Sequence, residues 1–177
     1  MIKGFFAGIA VVLGLGLLGA YAFLATGQFP ANADAKPPAL EKWAARMSLK
    51  ATIDREMIRT PNPVALNDEN LIAGVKLYAA NCAVCHGAAD GAASNVAKGL
   101  YQHAPQLAKH GVTDDEEGET YWKIYHGIRM TGMPSYRAAL SETQMWQITL
   151  FLKHMDSLTP RAEKAWKALP SQAQAGA

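Results

Sequence analysis

Positions 5–25, FFAGIAVVLGLGLLGAYAFLA, form an unbroken apolar block without a charge. As a helix rising 1.5 Å per residue, these roughly 21 positions span about 31 Å, enough to cross the hydrocarbon core of a bilayer. Lys3 and the N-terminal amine then lie on the inner side, and the rest of the chain faces outward. A cleavable signal peptide is the rival reading, with small-residue sites at Ala25-Thr26-Gly27 and Ala33-Asp34-Ala35. The length of the block, and Tyr21 and Phe23 near its outer end, favour a retained anchor. Both readings put the remaining residues on the same side of the membrane. Gly8, Gly14, Gly16 and Gly19 leave room for another transmembrane helix to approach.

Beyond the block the pattern changes. Positions 27–38 are rich in Pro, Ala, Asn and Gly and read as a linker. Over 40–59, Leu40, Trp43, Ala44, Met47, Ile53 and Met57 recur at roughly helical spacing, and Ser48 is placed to cap the second of two short helices. Asn62, between Pro61 and Pro63, ends this stretch, which predicts a spacer strapped onto the main domain, with a partner-binding arm as the alternative. A helix is predicted over 67–80, capped by Asn67 or Asp68, with Leu71, Val75 and Tyr78 on its apolar face. Gly74 in mid-helix costs about 1 kcal/mol relative to Ala and so calls for a packing reason. It shares a row with Tyr78 and Cys82 at spacings of four.

Tyr121, Trp122, Ile124 and Tyr125 predict a helix ending before Gly127. Ser141 with Gln144 forms a capping box for another helix running to about 156, whose Trp146 is expected to lie over Gly74. The tail from Pro160, ending in SQAQAGA, predicts a short helix that frays. The fold class is therefore all-α. Its parts are an anchor over 1–26, a linker with short helices over 27–66, a main domain over 67–158 and a tail over 159–177.

Charge adds little to this picture. A formal net charge of +2 over 177 residues, with Lys and Arg scattered, gives no nucleic-acid footprint. Asp114, Asp115, Glu116, Glu117 and Glu119 do cluster, as a solvated loop or first helical turn, or as a rim for a basic partner.

The chemistry sits in C-A-V-C-H, which holds both cysteines of the chain, Cys82 and Cys85, followed directly by His86. A disulfide here would close a very short loop, and a structural zinc site lacks a second ligand pair. A thioredoxin-like pair would want a βαβ context, whereas the surroundings read as helices. The spacing instead matches covalent haem attachment, with His86 as proximal iron ligand. Candidates for the other axial position are Met130, Met133, His103, His110, His126 and His154. Met133 is favoured, since Gly132 permits close approach and Pro134 stiffens its loop. Met130 is the main competitor, and otherwise a loop or core methionine.

Between 67 and 158 the sequence resembles class I (mono-haem) cytochromes c, especially membrane-anchored bacterial ones. The resemblance rests on G-x-x-x-Y-x-x-x-C-x-x-C-H, then A-P-Q-L, then T-G-M-P, then a terminal helix bearing a tryptophan. It implies one haem c with Met133 opposite His86, and a Pro105 carbonyl that accepts from His86 Nδ1–H. It also implies that Leu107 packs against the haem. The segment between His86 and Pro105 is longer than in the smallest relatives. The implied function is electron transfer rather than enzyme catalysis, by an inner-membrane protein with its haem domain on the periplasmic side. Its partners would be the membrane and other redox proteins, as a shuttle or as a fixed subunit of an oxidase or dehydrogenase complex. A haem sensor with a labile sixth ligand is the third reading.

Overall fold

The computed structural model describes residues 2–174. The amine of Met1 and the last three residues of the expected tail lie outside the described residues. Among the described residues all regular structure is helical, and the chain falls into two compact units, Met1–Ala35 and Lys36–Ala177.

The first unit holds α1, Ile2–Ala25, a helix long and apolar enough to cross a membrane. All of its residues are exposed within the protein, so it has no core of its own to bury. A helix that is apolar all round belongs in a protein core or across a membrane.

In the second unit, the helices run in the order α2 (Ala39–Glu56), α3 (Asp68–Asn81), α4 (Ala83–His86), α5 (Asn95–Gly99), α6 (Glu117–His126), α7 (Glu142–Lys153) and α8 (Pro160–Lys167). A short 3₁₀ turn, Gln172–Gln174, comes last. Local chemistry sets most of the starts. Asn67 caps α3 by accepting from Asn70 N at 2.9 Å, while Asp68 and Glu69 complement the dipole of its first turn. The Ser141/Gln144 capping box opens α7, and Thr159 with Pro160 opens α8.

The fold is organised on the crossing of α3 and α7, with α8 against α3 and α6 against α7. Tyr78, Phe151 and Trp166 meet at its centre as three edge-to-face pairs, with centroids 5.1–5.5 Å apart. Such pairs add about 0.5–1.5 kcal/mol each beyond their area burial. Gly74 lies at the crossing, but the expected partner is corrected. A Cβ there would run into the Gln147 carbonyl and come within 2.8 Å of Phe151 Cβ. Trp146 turns away and stacks on Tyr121, at 4.1 Å and 15° between planes. Its neighbours on α7 therefore cover the glycine. Asp68 closes the domain by accepting from Thr159 Oγ1 at 2.5 Å and from Arg161 at 3.3 Å.

The 40–59 stretch also differs from expectation. It is one continuous helix, α2, with no break at Ser48. Its C-terminal half rests on α6 through buried Ile53. The chain after it crosses at Gly118, where the Ile58 carbonyl occupies the space of a side chain. Asn62 then fastens the strap to Glu117 at 2.9 Å and to the Trp146 carbonyl at 3.3 Å. The acidic cluster is divided between the N-terminal turn of α6 and local ion pairs. Lys123 meets Asp115 at 3.1 Å and Glu119 at 2.6 Å.

Candidate haem site

Cys82 closes α3, its N–H donating to the Tyr78 carbonyl at 2.8 Å. The chain then turns at once into α4, where Cys85 N–H and His86 N–H both donate to the Cys82 carbonyl, at 3.0 and 2.9 Å. One helical turn thus sets both thiols and the imidazole on a single short scaffold. Both cysteines are free and half-buried. Burial, and then the neighbouring Cys85, push the Cys82 thiol up to about 12. Until it is alkylated, it therefore stays a thiol at neutral pH.

The scaffold is held from several sides. Tyr78 Oη donates to the Gly87 carbonyl at 2.8 Å, and Ser94 Oγ donates to the Val84 carbonyl. Across from it, Gln106 Nε2 donates to the Cys85 carbonyl at 3.0 Å, and Leu107 N–H donates to the His86 carbonyl at 3.1 Å. The Pro105 carbonyl lies 2.9 Å from His86 Nδ1. That contact makes Nδ1 the protonated nitrogen and leaves the Nε2 lone pair free. Burial holds the His86 imidazolium below its ordinary range, although the Pro105 carbonyl acts in the other direction. The ring is therefore a neutral donor at pH 7. Leu107 is buried in the cluster that includes Ala83, against which Cys82 and Met133 pack.

The loop after α6 is equally constrained. Gly127 ends the helix at φ +68°, with the backbone of Pro134 and Ser135 packed where a side chain would stand. Met133 N–H donates to Thr131 Oγ1 at 3.1 Å, and the Met133 carbonyl accepts from Ile128 N–H at 3.1 Å. Ser135 Oγ donates to the Tyr125 carbonyl at 2.7 Å. Tyr136 Oη donates to the Asn81 carbonyl at 2.6 Å, which ties the loop directly to the end of α3. Burial pushes the Tyr136 phenol up to about 12, so it remains a donor across the working pH range. Met133 is half-buried against the core, whereas Met130, at φ +60°, is 89% exposed. Of the four other histidines, His103, His110 and His126 are exposed, and His154 is half-buried at the end of α7.

Ser94, Gln106 and Tyr136 were not assigned roles by sequence reasoning. Each acts by donating to a backbone carbonyl, and a carbonyl leaves no mark in a sequence.

The donor set fits haem c. Two thiols one turn apart suit two thioether bonds, and a neutral imidazole with its outer nitrogen engaged suits iron. The helical fold and this site define a cytochrome c domain, a class that binds haem c covalently. Residues 69–152 match the family model described as Cytochrome C oxidase, cbb3-type, subunit III. No curated protein and no solved structure matches the chain.

Proposed function

We propose that the protein is a mono-haem electron carrier tethered by α1 to the inner membrane, with its haem domain on the periplasmic side. Cys82 and Cys85 would hold the haem through thioether bonds, and His86 and Met133 would ligate its iron. The observation that carries this reading is the Pro105–His86 contact, which aims one imidazole nitrogen while Met133 packs on the same apolar cluster. When bound, haem iron supplies a one-electron couple whose potential a thioether raises. The chain's part is to keep reorganisation small. Pro105 fixes the imidazole, Thr131 and Ser135 fix the methionine loop, and Tyr136 holds the two halves of the site together.

With His86 and Met133 both on the iron, no position would remain for a substrate. The oxidised protein in detergent is therefore expected to show an iron–thioether charge-transfer band. The reduced protein at pH 7 is expected to leave CO unbound. Ready formation of a CO complex would point instead to a sensor or an enzyme.

The family match favours a second reading of the same site, in which the domain is a fixed subunit of an oxidase complex. Purification from mild detergent separates the two, because a fixed subunit arrives with stoichiometric partners and a shuttle does not.

Tyr136→Phe tests the brace on the methionine loop. It leaves the Asn81 carbonyl without its donor, a loss of about 1 kcal/mol, or about fivefold in an equilibrium constant. Imidazole added to the oxidised protein should displace the thioether at about one-fifth of the wild-type concentration. An unchanged titration would show that the brace does not bear on the ligand.

A further inference from the structure

Among the described residues the outer face of α2 has no partner in its compact unit, and we infer that it is a lipid-contact surface seating the haem unit on the anionic membrane–water interface. The inference rests on the reading of α1 as a retained anchor.

Two kinds of residue share this face. Leu40, Trp43 and Met47 lie at helical spacing and are 72%, 58% and 51% exposed. Single exposed apolar side chains are ordinary, but a tryptophan flanked by two more along one stripe is not. Beside them, Lys42, Arg46 and Lys50 recur every four residues, so their charges form a parallel edge. Asp54, the acid on this row, pairs with Lys50 at 2.6 Å, so the net positive charge of the edge comes from Lys42 and Arg46. An apolar stripe centred on a tryptophan and edged by long basic side chains suits a helix lying in the headgroup layer. There the indole sits at the interface and the Lys and Arg stems reach out to phosphate.

Contacts away from the apolar stripe fix α2, so the stripe is held in one orientation. Glu41 accepts from Tyr101 Oη at 2.9 Å, Ile53 is buried, and Glu56 accepts from Trp122 Nε1 at 3.3 Å. Both ends of the helix are thereby joined to the haem unit.

Tether length makes the membrane the natural occupant. The residues between the end of α1 at Ala25 and the start of α2 at Ala39 reach at most about 45 Å when fully extended. The stripe therefore meets the bilayer surface at high effective concentration, and a weak intrinsic affinity suffices. A second copy of the chain suits the stripe less well, because a two-fold contact would bring its basic edge against an identical one.

The test uses the full-length holoprotein in bilayers of phosphatidylcholine, with and without phosphatidylglycerol. In the holoprotein Cys82 and Cys85 are consumed as thioethers, so a new cysteine can be labelled alone. Nitroxides are placed by Met47→Cys on the stripe, by Thr143→Cys on an exposed turn of α7, and by Val12→Cys within α1. Collision rates with oxygen and with a water-soluble nickel chelate then report lipid or water. Position 47 is expected to favour oxygen over the chelate severalfold more than position 143 does. The preference should grow with phosphatidylglycerol and fall when Lys42→Glu and Arg46→Glu are combined. If position 47 collides with the chelate as freely as position 143 while position 12 stays lipid-like, docking is overturned and the anchor stands. Position 12 open to the chelate overturns the anchor and docking together. Position 47 shielded from both reagents means a protein contact, which also overturns docking.

Discussion

Gly74→Val is expected to cost the haem domain about 3 kcal/mol or more, a large share of the roughly 5–15 kcal/mol that holds a typical domain folded. At this position α3 and α7 approach with the Gln147 carbonyl already in the place of a side chain, and Phe151 Cβ is packed beside it. Neither obstacle is the flexible end of a long side chain. To admit a branched residue, the helices must separate, and Tyr78, Phe151 and Trp166 then lose their mutual contacts. Overpacking a core usually costs about 1–3 kcal/mol, and a rigid backbone obstacle belongs at or beyond the top of that range. Gly74→Ala separates the causes. Alanine gains about 1 kcal/mol of helix propensity, so its net loss should be smaller than that of valine. Guanidinium unfolding followed by far-UV circular dichroism measures both, with an unchanged slope showing that only stability moved. A Gly74→Ala protein more stable than wild type would mean that the crossing relaxes freely and that the glycine has no packing cause.

The second large effect is expected at the iron. On the proposed ligation, Met133→Ala removes the thioether and with it the charge-transfer band of the oxidised protein. The reduction potential should fall by on the order of 0.1–0.2 V, within the roughly 0.8 V that axial ligands command. CO binding to the reduced form should appear at the same time, because the sixth position is now open. Met130→Ala should change none of these. Met130 stands 89% exposed on a left-handed residue at the tip of the loop, whereas Met133 is turned onto the core and held by Thr131 and Ile128. Survival of the band in Met133→Ala, or its loss in Met130→Ala, would reverse the assignment. Since both variants lie on one loop, general loosening of that loop would affect them alike, and only ligation separates them.

Much of the fold was legible because its helices announce themselves. Asn67, Ser141 and Gln144 cap α3 and α7 with side chains that have few other uses in those places. The uncharged run in α1 is similarly unambiguous in type. The error at Gly74 was one of rotation. Periodicity shows that a second helix must cross a mid-helix glycine, but not which of its neighbouring residues faces the gap. Trp146 was the conspicuous choice, yet Tyr121 offered its ring a flat partner, and Gln147 and Phe151 were left to meet α3. The break expected at Ser48 is absent because serine tolerates a helix interior when its neighbours favour helix. Helix α5, with five residues and a single cap from Ser94, is too short to show a period. At the site, C-A-V-C-H was plain by itself. The approach of Pro105 to His86 had no trace in composition or periodicity and entered only through the A-P-Q-L resemblance.

The hydrogen bonds around the C-A-V-C-H turn share one property. Tyr78, Ser94, Gln106 and Tyr136 donate from their side chains, and His86 from its ring, yet every acceptor among them is a main-chain carbonyl: Gly87, Val84, Cys85, Asn81 and Pro105. A carbonyl is supplied by whatever residue occupies the position. Evolutionary drift is therefore one-sided here. Asn81 and Val84 are free to change identity without removing the bond they receive, while a change at Tyr78, Ser94, Gln106 or Tyr136 deletes it. Homologues of this domain that have diverged widely should thus keep the donors at these positions and vary the acceptors, so that the frame outlasts much of the sequence that encodes it.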